Sequence, residues 1–164
     1  MTRLLLASLL CAATSTSLVS TSGHAETLNL PTKPILTLAA ARIVVDAAER
    51  DATRRGTPGV IAVVDDGGNM LITERMDGAT IASTLVAPGK ARTAALFRAP
   101  SKNYENTIAG GRQAIMTAGL NMMSGGEPIV VNGQVVGAVG VSTATAPNDD
   151  LIATTAAHAL DESK

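Results

Sequence analysis

The sequence predicts an α+β domain, one antiparallel sheet built from two hairpins with helices packed on it. Three observations carry this expectation. Val60-Ile61-Ala62-Val63-Val64 and Met70-Leu71-Ile72-Thr73 are short apolar runs, and between them stands Asp65-Asp66-Gly67-Gly68-Asn69, residues that tolerate the positive φ of a tight turn. Pro128-Ile129-Val130-Val131 and residues 134–141 repeat the pattern around Asn132-Gly133, the strongest short hairpin signal. Helical patterns precede, separate and follow these pairs. Hairpins pair antiparallel, and one sheet covered by helices is the economical way to bury all of them.

Taken in order, residues 26–34 contain Pro31 and Pro34 and read as an extended leader. Thr37 is a suitable N-cap for an amphipathic helix over 38–54. In that helix Leu38, Ala41, Val44, Val45 and Ala48 face inward, and Arg42, Asp46, Glu49, Arg50 and Asp51 lie elsewhere; Gly56 and Pro58 end it. The first hairpin follows, then a loop over 75–79. Residues 81–97 look helical with a kink or break at Pro88-Gly89, so that a second piece starts at Lys90. Ser101 caps a further helical turn, and 108–123 is weakly helical against Gly110, Gly111 and Gly119. Gly137 and Gly140 in the last strand imply a close backbone approach. Pro147-Asn148 opens a final helix over 149–160, with acids in its first turn to suit the helix dipole.

The first 25 residues have the three parts of an export signal: Arg3, the apolar run 4–13, and small residues at the cleavage positions of Gly23-His24-Ala25. About 10 apolar residues are too few to span ~30 Å of hydrocarbon. Cleavage before Glu26 and a periplasmic or secreted location are therefore expected, with the domain occupying 35–164. The mature chain loses Cys11, the only cysteine, so disulfides and thiolate chemistry are excluded. Without Arg3, 12 of the 13 Lys and Arg remain against 14 Asp and Glu, a net charge of −2, and no basic patch asks for nucleic acid. His158 is the only mature histidine, and no metal site is expected. Phe97 and Tyr104 are the only aromatics, so the core must be aliphatic and each side chain buries little area. Self-association as a dimer or larger is expected to add the missing burial.

Six segments occur in a telling order: Val63-Val64-Asp65-Asp66-Gly67-Gly68-Asn69, Arg75-Met76-Asp77-Gly78-Ala79, Lys90-Ala91-Arg92-Thr93-Ala94, Gly125-Gly126-Glu127-Pro128-Ile129, residues 136–142, and Asn148-Asp149-Asp150. Together they resemble the GlcG/HbpS family, the haem-degrading or PduO C-terminal-like domain, over about residues 35–161. The resemblance implies a profilin-like sheet with helices on both sides, assembling into dimers or larger rings. It also implies a haem or corrinoid ligand, or a role beside small-molecule catabolic enzymes. Thr143 stands after Ser142 where many members have Gly, and 101–124 matches no part of the pattern.

Arg75, Asp77, Lys90 and Glu127 are charged residues in these motifs, and they are expected to converge on one ligand pocket at one end of the sheet, near a subunit interface. Arg75 and Lys90 would offer cations to a carboxylate or haem propionate. Glu127, between Gly125-Gly126 and Pro128, has the placement of a general acid or base, and Lys90 is a second acid–base candidate. Each also has a plain reading: Asp77 as a turn former, Arg75 in a surface pair, Glu127 on a solvent-facing loop. Axial candidates for a haem are His158, Tyr104 and Met70, Met76, Met116, Met122 and Met123. With no Cys-x-x-Cys-His, a haem would be held non-covalently. The leading expectation is an exported binding protein for a small anionic ligand, haem first. The alternatives are a metal-free acid–base enzyme acting on a small carbonyl or carboxylate compound, and an accessory oligomeric subunit of a catabolic system.

Overall fold

The computed structural model describes residues 28–161; the expected signal segment and Cys11 lie outside them. Residues 28–37 carry no helix or strand. The elements that follow are α1 (Leu38–Arg54), β1 (Val60–Asp65), β2 (Met70–Arg75), α2 (Ser83–Phe97), α3 (Lys102–Ala109), a 3-10 helix (Gln113–Ala118), β3 (Gly126–Val131), β4 (Gln134–Ser142) and α4 (Ala146–Ala157). The strands form one antiparallel sheet in the order β2-β1-β4-β3. The two hairpins therefore meet through β1 and β4, and β2 and β3 are the edges.

Helices cover both faces. On one, α1 and α4 bury Val44, Val45, Ala48, Ile152 and Ala156 against Ile61, Val63, Ile129, Val139 and Val141. On the other, Ala87, Ala91, Ala94 and Ala95 of α2 pack on Val60, Ala62, Val64 and Ala138. This second layer is almost entirely alanine and valine, so the helix lies close to the sheet. A Cβ at Gly140 would collide with the Ala87 carbonyl oxygen and lie 2.5 Å from the Ala91 nitrogen. The close approach expected at this glycine is the seat of α2.

Local chemistry accounts for most boundaries. Thr37 is the N-cap of α1, and its hydroxyl accepts from the Ala40 N–H at 3.2 Å. The Asp65 carboxylate accepts from the N–H of Gly67 (2.9 Å) and of Asn69 (2.8 Å), closing the first hairpin as an Asx-type turn. Asn132 and Gly133 have φ of 50° and 76°, the two positive values that a type I′ turn requires. The two aromatic rings, Phe97 and Tyr104, stack with centroids 4.2 Å apart.

Four expectations are corrected. There is no break at Pro88: α2 runs through it as one helix. Proline removes a single N–H there, and the packing of Ala87 and Ala91 on Gly140 holds both halves in line. Asp51 is not on the solvent face of α1; it is 3% exposed and accepts from Arg54 (2.8 Å) and Arg55 (3.1 Å). Ser101 does not cap α3 through its side chain. Its hydroxyl donates to the Met123 carbonyl (2.6 Å) and accepts from the Gly126 N–H (2.8 Å), tying the long connection to β3. Finally, 108–123 is not a helix, because Gly110 and Gly111 end α3 and only the 3-10 helix follows before Gly119.

Candidate functional site

Lys90 is 1% exposed, near the middle of α2. Its Nζ donates to Asp149 Oδ2 at 2.6 Å and to the Val141 carbonyl at 3.1 Å. Asp149, at the start of α4 and 4% exposed, uses its other oxygen to accept from the Thr143 N–H (2.6 Å) and hydroxyl (2.7 Å). The Gly125-Gly126 pair lets these groups meet. Gly125 has φ of 104°, and a Cβ on it would lie 2.6 Å from the Asp149 Cβ; a Cβ on Gly126 would overlap the Lys90 carbonyl. Four of the sequence motifs thus come together on one buried ion pair that joins α2, β4 and α4. The cation expected to face a ligand is already consumed inside the protein.

Glu127 follows Gly126 on edge strand β3, and successive side chains of a strand point to opposite faces. Gly126 backs onto α2, so Glu127 points to the α4 side. It is 8% exposed rather than solvent-facing. Burial raises its pKa above the ordinary carboxylate value, the Asp150 carboxylate adds to the rise, and Lys102, a Thr154 hydrogen bond and His158 oppose it. Lys102 and Asp150 are themselves paired at 2.9 Å.

Arg75 ends β2 at the opposite edge, and Asp77 lies in the turn beyond; both are exposed. Pairings Val60↔Arg75, Val60↔Ser142 and Gly126↔Gly140 bring the relevant strand ends to one end of the sheet, as expected. Three strand spacings of about 4.8 Å still separate the edges that carry Arg75 and Glu127. The four residues therefore occupy two edges and two faces, with Lys90 sealed between them. Within one subunit the structure does not bring them into one pocket.

A different constellation stands between α1 and α4. Ile43, Ala47, Arg50 and Arg54 follow one another along α1 at spacings of four, three and four, a single helical stripe. With Thr155, His158 and Ala159 at the end of α4 they line a groove of about 650 Å³, within the range of small-molecule sites. His158 is the C-cap residue of α4, and its Nδ1 lies 2.9 Å from Asp161 Oδ2. Both side chains are largely exposed, 70% and 60%, and their contact sets the direction in which the imidazole projects. Arg54 also pairs with Asp51, and its side chain is 71% exposed. Glu49 and Thr53 of α1 complete the lining, so the groove offers an imidazole, two guanidinium groups, one carboxylate and an apolar wall.

The sequence reading named His158 as a ligand candidate but neither arginine, because only the contact of α1 with α4 makes them neighbours of the imidazole. It also read Asp149 as a helix-dipole acid, although its place in the Asn148-Asp149-Asp150 motif was the available signal for the Lys90 pair.

Known proteins agree with this architecture. The family model described as haem degrading protein HbpS-like matches residues 36–158. Protein GlcG of Escherichia coli (strain K12) is 42% identical over 114 residues, 69% of this chain and 85% of GlcG. A double mutant of Streptomyces reticuli HbpS superposes with a TM-score of 0.73 at 30% identity, covering 92% of this chain and 99% of that one. A PduOC structure solved as a haem complex superposes at 0.69 with 26% identity, covering 77% and 95%. With the sheet order, the helices on both faces and a family match spanning nearly the whole described domain, the chain belongs to the HbpS-like family.

Proposed function

We propose that this chain is an exported binding protein for haem or a related tetrapyrrole, held non-covalently in the α1–α4 groove. The observation that carries the reading is His158 with its Nδ1 on Asp161, set beside Arg50 and Arg54 over Ile43 and Ala47. In this arrangement His158 would hold the haem iron, Arg50 and Arg54 would meet its carboxylates, and Ile43 and Ala47 would offer the ring an apolar surface. Bound haem would supply an iron centre for redox or ligand-binding chemistry. Asp161 would orient the imidazole through its contact with Nδ1. The haem complex of PduOC and the family description support the choice of ligand.

Haemin titration of the mature domain tests this. A saturable Soret shift is expected, lost or moved in wavelength in His158→Ala and weakened roughly tenfold or more in Arg50→Glu, the size of a lost charge-assisted bond. No saturable shift with the unaltered protein would overturn the reading. Export predicts that the N-terminus of the secreted protein lies at or near Glu26. Self-association is supported by Ile81, just before α2, and Leu85 in its first turn, 75% and 81% exposed, and predicts a dimer or larger in sedimentation.

One observation favours a second reading, metal-free acid–base catalysis on a small carbonyl or carboxylate compound. Glu127 is a buried carboxyl biased toward its protonated form, the state a general acid needs. Lys90 is unsuited to that work because it is 1% exposed and its Nζ donates inward to Asp149 and the Val141 carbonyl. Turnover that needs no haem and is lost in Glu127→Gln would select this reading.

A further inference from the structure

The methionines absent from the haem groove have a site of their own. Of the six in the chain, Met116, Met122 and Met123 line one pocket of about 360 Å³, together with Glu105, Ile108 and Leu120. Methionine used as core filler is covered. Here only Met122 is, at 7% exposure, whereas Met116 and Met123 are 60% and 47% exposed. Two polarisable thioethers are thus left open at a pocket whose other walls are mostly aliphatic.

The segment that carries them is fixed by its own polar groups. Thr93 donates to the Asn121 carbonyl (2.7 Å), and Asn121 Oδ1 accepts from the Met123 N–H (3.1 Å). Ser101 donates to the Met123 carbonyl (2.6 Å), and Glu105 accepts from the Ser124 N–H (2.9 Å). Both backbone groups of Met123 are therefore held by side chains, which orders a stretch lacking regular structure. Glu105 is the one charged residue of the pocket lining, and it brings negative charge to the thioethers.

This donor set is selective. Among the described residues no group of three or more His, Cys, Asp or Glu could hold a metal ion, so nothing here suits Mg²⁺, Ca²⁺ or Zn²⁺. Thioethers are soft donors, and they prefer Cu(I) and its analogue Ag(I). We propose that Met116, Met122 and Met123 form a binding site for a soft monovalent cation, Cu(I), with Glu105 supplying the neighbouring charge. The expectation of no metal site rested on Cys and His counts, and thioether ligation lies outside that reasoning. The proposal is independent of the haem reading, since no residue is shared with the α1–α4 groove.

The test is anaerobic titration of the mature protein with Cu(I) against a chromophoric Cu(I) chelator, with Ag(I) calorimetry in parallel. One equivalent is expected to be withdrawn from the chelator. Met116→Leu and Met123→Leu should each weaken it at least tenfold, and the triple Leu variant should abolish it. Leucine is close to methionine in volume, and thermal melting checks that each variant is folded. Excess Mg²⁺ or Ca²⁺ should not compete. No withdrawal from the chelator by the folded wild type overturns the proposal. So does affinity that survives in the triple Leu variant, or that disappears with His158→Ala, because either places the metal elsewhere.

Discussion

Replacing Lys90 with methionine tests whether this residue serves the fold or a ligand. Lys90→Met keeps the unbranched stem out to Cε and removes the ammonium. Asp149 Oδ2 then loses its 2.6 Å partner at a site only 4% exposed, while Oδ1 keeps both bonds from Thr143. The Val141 carbonyl loses a donor as well. Removing one member of a buried pair costs about 3–5 kcal/mol, mostly the burden of the charge left behind. That is a large share of the roughly 5–15 kcal/mol by which ordinary domains are stable. A chain of this size loses roughly 3–5 °C of Tm per kcal/mol, so a fall of about 10–20 °C is expected. Urea unfolding followed by circular dichroism gives the free energy directly. The double variant Lys90→Met/Asp149→Asn removes both charges while the asparagine amide oxygen still accepts from Thr143, and it should recover part of the loss, most of which is the burden of the charge left behind. Haemin affinity of folded Lys90→Met should match wild type. The reasoning fails if Lys90→Met costs less than about 1 kcal/mol, the range of an exposed pair, or if the double variant is no more stable than the single.

Three further outcomes follow from the same geometry. Gly133→Val should cost about 1 kcal/mol or more in thermal or chemical unfolding, because a β-branched residue fits poorly at φ of 76°; an unchanged Tm would refute the type I′ turn. Gly140→Ala should cost about 1–3 kcal/mol as an overpacking change, since its Cβ must displace the Ala87 and Ala91 backbone, and a neutral result would show that α2 does not sit where described. Glu127 binds its proton more tightly folded than unfolded, so it lowers stability as pH rises from its ordinary value of 4.5 through its raised folded pKa. Glu127→Gln should flatten that part of the stability–pH curve and leave the protein relatively more stable near neutrality; a curve parallel to wild type would show that the carboxyl is not buried.

Local chemistry made the elements legible. Asp65 and Asn69, Asn132-Gly133 and Thr37 each act within a few residues of themselves, so their turns and caps could be read without tertiary knowledge. Pro88 shows the opposite case. Its local preference is to break a helix, and packing against Gly140 overrides it. The candidate site depended still more on distance. Lys90 and Asp149 are 59 residues apart, and a buried charge finds its partner only when helix and sheet have assembled.

By itself the sequence determined two hairpins, the helices around them and the family whose motifs they carry. The spacing of apolar residues, turn residues and glycines is a local code, set by backbone sterics and by burial on one face. The tertiary structure alone decided which charges are used up and which face outward. It sealed Lys90 against Asp149, covered Glu127 with α4, and set Arg50, Arg54 and His158 around one groove. A charged side chain has no intrinsic role. Its solvent exposure and the partner within about 3 Å fix whether it stabilises the fold or remains available to a ligand, and both are properties of assembled elements.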